Sequence, residues 1–391
     1  MLIDVLAGLS LGIWAYLLAA RGRFWLGSAR DDRAAPLPAS PGTSPTTWPA
    51  VAVVIPARNE ADVIARSVGS LLKQDYPGPL SITVVDDDSD DGTGDIARAV
   101  AVPDGPTLTV VRGGTLPAGW TGKLWAVRQG IDSAMAQDPK PELLLLTDAD
   151  IAHSADNVRL LVSRAREGGT VLTSLMAKLR CTSLAEQVHV PAFIYFFQML
   201  YPFQWVAQPK SATAAAAGGC MLVRAEALEK AGGIEAIRDA LIDDCALAAK
   251  LKTVGPIWLG LTERAQSLRP YDDFAEVKRM ITRSAYAQLR YSPWLLIGTV
   301  LAMLLVFVAP PIFALFAHGP ARALGFFAWV LMAASFMPTL QSYRQSSLWG
   351  VALPAIALLY TYYTLDSAYQ HARRRGGQWK GRAQANMASL Q

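Results

Sequence analysis

From residue 51 to about residue 150, short apolar runs alternate with polar turns and helix-length segments. Val51–Pro56 (VAVVIP), Ser81–Val85 (SITVV), Leu108–Val111 and Leu143–Leu146 (LLLL) are rich in aliphatic and β-branched residues. This is the pattern of strands buried on both faces. Between them the spacing predicts a helix that follows Ala57-Arg58-Asn59-Glu60 and ends near Gln74, a helix Asp95–Val102, and a third beginning after Lys123. Tyr76-Pro77-Gly78-Pro79 is a turn. Alternation of this kind predicts an α/β fold with a mostly parallel sheet.

Residues 5–20 form an apolar run near the lower length limit for a membrane span. Asp4 precedes it and Arg21, Arg23 and Arg30 follow, the reverse of a signal peptide. The positive-inside rule then puts the amino terminus outside and the following chain in the cytoplasm. An uncleaved anchor is expected, with a helix lying in the interface as the alternative. Residues 34–49 have the Pro, Ser and Thr content of a linker. Residues 190–206 are aromatic and apolar but interrupted by Pro191 and Pro202, which favours a core or interface segment over a span. After Pro293 come three runs near span length, Trp294–Ala317, Ala323–Leu340 and Leu348–Leu365, then a basic tail from His371 to Arg382. Four spans would leave that tail outside, against the positive-inside rule. A re-entrant first run at Pro310-Pro311, or dominance of the first anchor, would each resolve the conflict. The layout expected is an anchor (1–22), a linker (23–50), a sheet domain (51–270), an interface helix (271–293), a transmembrane region (294–370) and a tail (371–391).

Composition changes this picture little. The chain has 391 residues, 52% of them hydrophobic, and a mean hydropathy of +0.24, apolar for a purely soluble protein. A net charge of +4 without a basic stripe argues against nucleic acid as a partner. Cys181, Cys220 and Cys245 are odd in number and far apart, so a reduced compartment is expected.

The chemistry concentrates in acidic turns. Thr147-Asp148-Ala149-Asp150 follows the four leucines. In an extended chain, residues two apart point the same way. Asp148 and Asp150 then present two carboxylates just past a core strand, where open α/β sheets bind ligands. Two such carboxylates repel, and a hard cation keeps both ionised. A solvated acidic loop is the alternative. Gly92-Thr93-Gly94-Asp95-Ile96-Ala97 has the spacing of a dinucleotide loop. It follows the second strand, however, and is crowded by Asp86, Asp87, Asp88, Asp90 and Asp91, which would repel a pyrophosphate. The small residues Ala212–Gly219 suit a close approach of backbone to backbone or ligand.

Five features occur in fixed order: VVIPARNE (Val53–Glu60), VVDDDSDDGT (Val84–Thr93), Gly122-Lys123, Thr147–Asp150, and Leu241-Ile242-Asp243-Asp244 before a helix-like segment. In this order they resemble family 2 glycosyltransferases, membrane-bound enzymes of the GT-A fold, over roughly residues 50–270. GWTGKLWA (Gly119–Ala126), GGCMLVRAEAL (Gly218–Leu228) and RMITRSAYAQLRYSPW (Arg279–Trp294) look most like bacterial hopanoid-associated glycosyltransferases, with ceramide glucosyltransferases as relatives. The resemblance implies a nucleotide-sugar donor, with UDP the usual carrier, and a lipid acceptor. A polyprenyl phosphate or polysaccharide acceptor stays open, as, more distantly, does a non-catalytic binding module. It implies a bacterial inner-membrane protein with its catalytic domain in the cytoplasm. It also implies that Ala57, Glu60 and Asp87 touch the nucleoside and that Lys123 touches the diphosphate. Asp148 and Asp150 would bind Mg2+ or Mn2+ together with that diphosphate. Asp244 would be the general base beside Asp243, where the family usually has Glu; helix capping is the alternative for this pair. The processive members' Gln-x-x-Arg-Trp helix is not matched, and Arg279 and Arg283 are loosely placed as phosphate contacts.

Overall fold

A computed structural model describes residues 1–31, 47–103 and 105–373, and the backbone of 378–379 and 382–383. Of the expected linker, residues 32–46 lie outside the described residues, as does most of the basic tail. Within that linker Phe24–Leu26 forms a 3-10 turn and Arg30 bridges Leu261. Chain contacts divide the molecule into two units.

The first unit, residues 29–179 and 205–269, holds an eight-stranded sheet. Its strands are β1 (Val51–Ala57), β2 (Leu80–Asp86), β3 (Thr107–Arg112), β4 (Leu143–Leu146), β5 (Ile151–His153), β6 (Leu172–Lys178), β7 (Met221–Arg224) and β8 (Ile257–Ser267). The order is β3-β2-β1-β4-β7-β6-β8-β5. The first four are parallel, as are β6 and β8, whereas β7 runs antiparallel to both neighbours and β5 antiparallel to β8. The mostly parallel α/β sheet expected from the apolar runs is thus present. All seven residues of β1 and all four of β4 are buried, which explains their uninterrupted apolar sequence. The helix Gly122–Met135 covers β1 and β2 at short range, because a side-chain carbon at Gly130 would meet Val54 Cγ1 at 2.5 Å.

Helices here are shorter than the pattern suggested. The first spans Ile64–Leu71 and the second Thr93–Ala99. The segment after β4 also differs. Asp148–Asp150 is a turn joining β4 to β5, with Ile151 N–H donating to Asp148 O at 3.3 Å, and not a continuation of the strand.

The second unit, residues 1–28, 180–204 and 270–377, is helical. Leu184–Leu200 carries Pro191 inside and is largely buried within this unit, in agreement with a core segment. Among the described residues three helices are long and apolar enough to span a membrane: Leu2–Ala19, Pro293–Phe316 and Pro320–Ser342. Large apolar side chains such as Leu9, Trp294, Leu301, Phe316 and Phe327 are exposed on them. The third run after Pro293 is not among these helices. It breaks into Leu348–Val351 and Leu353–Ala372, and Asp366 in the latter pairs with Lys278 at 3.0 Å.

Pro310-Pro311 does not turn the chain back. A π-helical segment, Leu304–Val308, absorbs it. Proline lacks the N–H that would bond the carbonyl four residues earlier, here that of Val306. The indole N–H of Trp14 donates to that carbonyl at 2.8 Å, and Trp14 is fully buried. Trp14→Phe should strand a buried carbonyl and cost about 1–3 kcal/mol. The measurement is the thermal midpoint in detergent; an unchanged midpoint would show that the indole bond carries no weight.

Candidate active site

The strand order reverses between β1 and β4, and ligands of open α/β sheets bind beside such a switch point, outside the carboxyl ends of the strands. The turns after β1, β2 and β4 carry Glu60, Asp87 and Asp148–Asp150 to that edge. Because β7 is antiparallel, with Met221 opposite Leu146, its entry loop Gly218-Gly219 lies at the same edge. The helix Gly122–Met135 brings Lys123 in its first turn, and Asp243–Lys252 brings Asp243 and Asp244 in its first turn.

Lys123 is the hub. Its ammonium lies 2.9 Å from Asp148 and 3.0 Å from Asp243. Burial pulls its pKa down, but the two carboxylates outweigh burial and hold it well above its ordinary value. Gly218 sits among these groups. A side-chain carbon there would lie 3.5 Å from Lys123 Nζ, 3.6 Å from Asp244 Oδ2 and 3.7 Å from Asp148 Oδ2. Gly218 N–H donates to Asp244 Oδ2 at 3.0 Å, and Cys245 N–H donates to Asp244 Oδ1 at 2.7 Å. Burial of the carboxyl and repulsion from Asp243 push the Asp244 pKa up to about 6, against the pull of Lys123 and these N–H groups. Neither acid is the helix N-cap, which is Ile242; both occupy the first turn, where the macrodipole favours negative charge.

Asp150 is held from the other side. Arg269 Nε donates to its Oδ2 at 3.0 Å, while Arg269 Nη2 donates to Glu60 Oε2 at 2.5 Å. Burial and the neighbouring Asp148 still raise the Asp150 pKa against Arg269. Sequence reading missed Arg269, and nothing in Leu268-Arg269-Pro270 marks it. It arrives because β8 pairs with β5, setting Ser267 opposite Ile151 and Leu268 N–H on Asp150 O at 2.7 Å.

Other expected contacts are placed differently. Ala57 is fully buried and its carbonyl accepts Asp87 N–H at 2.8 Å, so it offers no surface to a ligand in this conformation. Asp87 is also fully buried, with Arg58 spanning the carbonyls of Asp87 and Asp88. Asp86 is a turn former: its Oδ1 accepts Ser89 N–H at 3.1 Å. A Cβ at Gly94 would collide with the Asp86 carboxylate, so this glycine serves the turn and not a dinucleotide. Arg279 and Arg283 belong to the helical unit, in and just after Phe274–Thr282.

The donor set suits a divalent cation. Glu60, Asp148, Asp150, Asp243 and Asp244 outnumber the cations Lys123 and Arg269 that hold them. Burial first, and then the neighbouring carboxylates, raise the pKa values of Asp150 and Asp244. Among the described residues no three His, Cys, Asp or Glu side chains gather to bind an ion by themselves. An ion held by Asp148 and Asp150 would therefore complete its coordination from a ligand or water, as Mg2+ commonly does with substrate phosphates.

The strand order, with acidic turns at its switch point, defines a GT-A-type fold. Over 95% of this chain and 99% of the other, the structure is similar to the mannosyltransferase PcManGT from Pyrobaculum calidifontis in complex with GDP-Man and Mn2+, at a TM-score of 0.57 and 19% identity. Residues 52–232 match the profile of Glycosyl transferase family 2. A curated N-acetylglucosaminyltransferase from Bradyrhizobium sp. (strain ANU 289) is 40% identical over 62 residues, 16% of this chain. That match spans 40% of the relative's length.

Proposed function

We propose that the protein is a membrane-bound, metal-dependent, inverting glycosyltransferase that moves a sugar from a nucleotide sugar to a lipid acceptor. The observation that carries this reading is the convergence of Lys123, Asp148, Asp243 and Asp244 around Gly218, at the switch point of a family 2 domain. A diphosphate entering the site would take over Lys123 from Asp148 and Asp243, a compact charge being suited to phosphate. Mg2+ or Mn2+ on Asp148 and Asp150 would supply Lewis-acid neutralisation of the leaving diphosphate. Asp244, poised near neutrality, would take the proton of the acceptor hydroxyl. Asp243 would hold Lys123 in place, and Arg269 would hold Asp150 and Glu60.

A lipid acceptor accords with the exposed apolar helices, and a hopanoid or sphingoid-type lipid with a UDP-linked donor is the specific form of the reading. Three spans beginning outside would leave both the family 2 domain and the basic tail in the cytoplasm, which removes the conflict that four spans create. A reporter inserted within residues 34–49 should read cytoplasmic; a periplasmic reading would overturn this orientation. The activity test is transfer by the detergent-purified protein from a panel of UDP- and GDP-sugars to extracted lipids. Mass spectrometry of lipids from a deletion strain, searching for a lost glycolipid and its accumulated aglycone, complements it. No transfer and no donor hydrolysis with any sugar would sink the proposal.

A further inference from the structure

Thr147 stands immediately before the acidic turn and is 2% exposed. Its hydroxyl donates to Gly219 O at 2.7 Å, a carbonyl that can only accept. The same oxygen lies 3.0 Å from His153 Nε2, so it must accept from that nitrogen. The proton is thereby fixed on Nε2, and Nδ1 becomes the acceptor for the Asn157 amide at 2.8 Å. The amide keeps that orientation although its Oδ1 has no hydrogen-bond partner among the described residues. His153 and Asn157 are buried, and burial pushes the His153 pKa down to about 4, so the imidazole is neutral at working pH. The direction of every bond in the chain Asn157, His153, Thr147, Gly219 is thus set. A buried polar chain with each bond directed specifies one geometry where an apolar one tolerates several.

Gly219 matters because of its neighbour: Gly218 N–H is the donor to Asp244 Oδ2. We infer that Thr147 is a positioning residue whose hydroxyl, backed by His153 and Asn157, fixes the Gly218-Gly219 backbone and so sets the hydrogen bond that tunes the Asp244 carboxylate. The inference rests on Asp244 being the general base. Around Asp244 the charged groups are Asp243 on its own helix, Lys123 on Gly122–Met135 and Asp148 on the acidic turn. None of them is replaced by a change at Thr147.

The test is Thr147→Val, nearly isosteric but without the hydroxyl, compared with Thr147→Ser. Loss of a supporting partner typically costs about 10- to 100-fold, and that loss is expected in kcat with donor KM changed far less. A weakened hydrogen bond to the charged form raises a carboxyl pKa. The acid limb of the pH–rate profile should therefore move up by about one unit in Thr147→Val. Thr147→Ser should restore both the rate and the limb. If Thr147→Val does not accumulate as folded protein, His153→Asn, too short to reach the hydroxyl, carries the same expectation. An active wild type together with a variant of unchanged acid limb would overturn the inference alone. A wild type that transfers no sugar would overturn the assignment of Asp244, and this inference with it.

Discussion

Asp244→Asn is expected to lower turnover by about two to four orders of magnitude, the range a positioned general base contributes, with donor affinity nearly unchanged. Asparagine keeps the size and one acceptor for the Gly218 or Cys245 N–H, but it cannot take the hydroxyl proton. The wild-type rate should fall as pH drops through about 6, where Asp244 becomes protonated. The stability contribution of this group has the opposite sign. Its folded pKa lies above the model-compound value of 3.8, so the ionised form opposes folding above about pH 6, and that penalty fades as pH falls towards 3.8. Loss of rate near pH 5 without loss of folded protein would therefore be the signature of the base. The proposed mechanism assigns Asp244 to the acceptor proton and assigns no other carboxylate as a nucleophile. A single displacement then turns an α-linked donor into a β-glycoside. An α-linked product, or an Asp244→Asn enzyme of near-normal turnover, would refute this assignment.

Asp150→Ala should reduce activity on the order of a thousand-fold, equivalent to a few kcal/mol of lost transition-state stabilisation by the ion. Metal-dependent nucleotide binding should weaken with it. Arg269 keeps Glu60 as a partner in this variant, so the loop after β1 should remain in place. Asp148→Asn should also impair donor binding, but it additionally frees Lys123 from one of its two carboxylates. Calorimetric titration of UDP and GDP with and without Mn2+ separates the cases. An Asp150→Ala protein whose nucleotide affinity responds to Mn2+ as the wild type does would show that this turn is not the metal site.

Much of the fold could be read along the chain. The runs Val51–Ala57 and Leu143–Leu146 are buried along their whole length, and a residue buried on every face must be apolar whichever way it points. The acids at the strand ends were visible as candidates, but turn formation accounts for some of them, as Asp86 shows by accepting Ser89 N–H. Exact helix lengths were less visible: Ile64–Leu71 ends before Gln74 although Leu72 beyond it is still buried.

What the tertiary structure decided was which side chains meet. Lys123, Asp148 and Asp243 are far apart in sequence, and only the parallel order of β1 and β4 with the helices around them makes one charged cluster. Arg269 reaches Asp150 through the β5–β8 pairing, and Thr147 reaches Gly219 through the antiparallel β7. The same holds for Trp14, which satisfies a carbonyl orphaned by Pro310 almost three hundred residues away. Residue type and local period follow from the chain because they answer to burial and backbone geometry. Partners follow from strand register and chain direction, which no local pattern encodes.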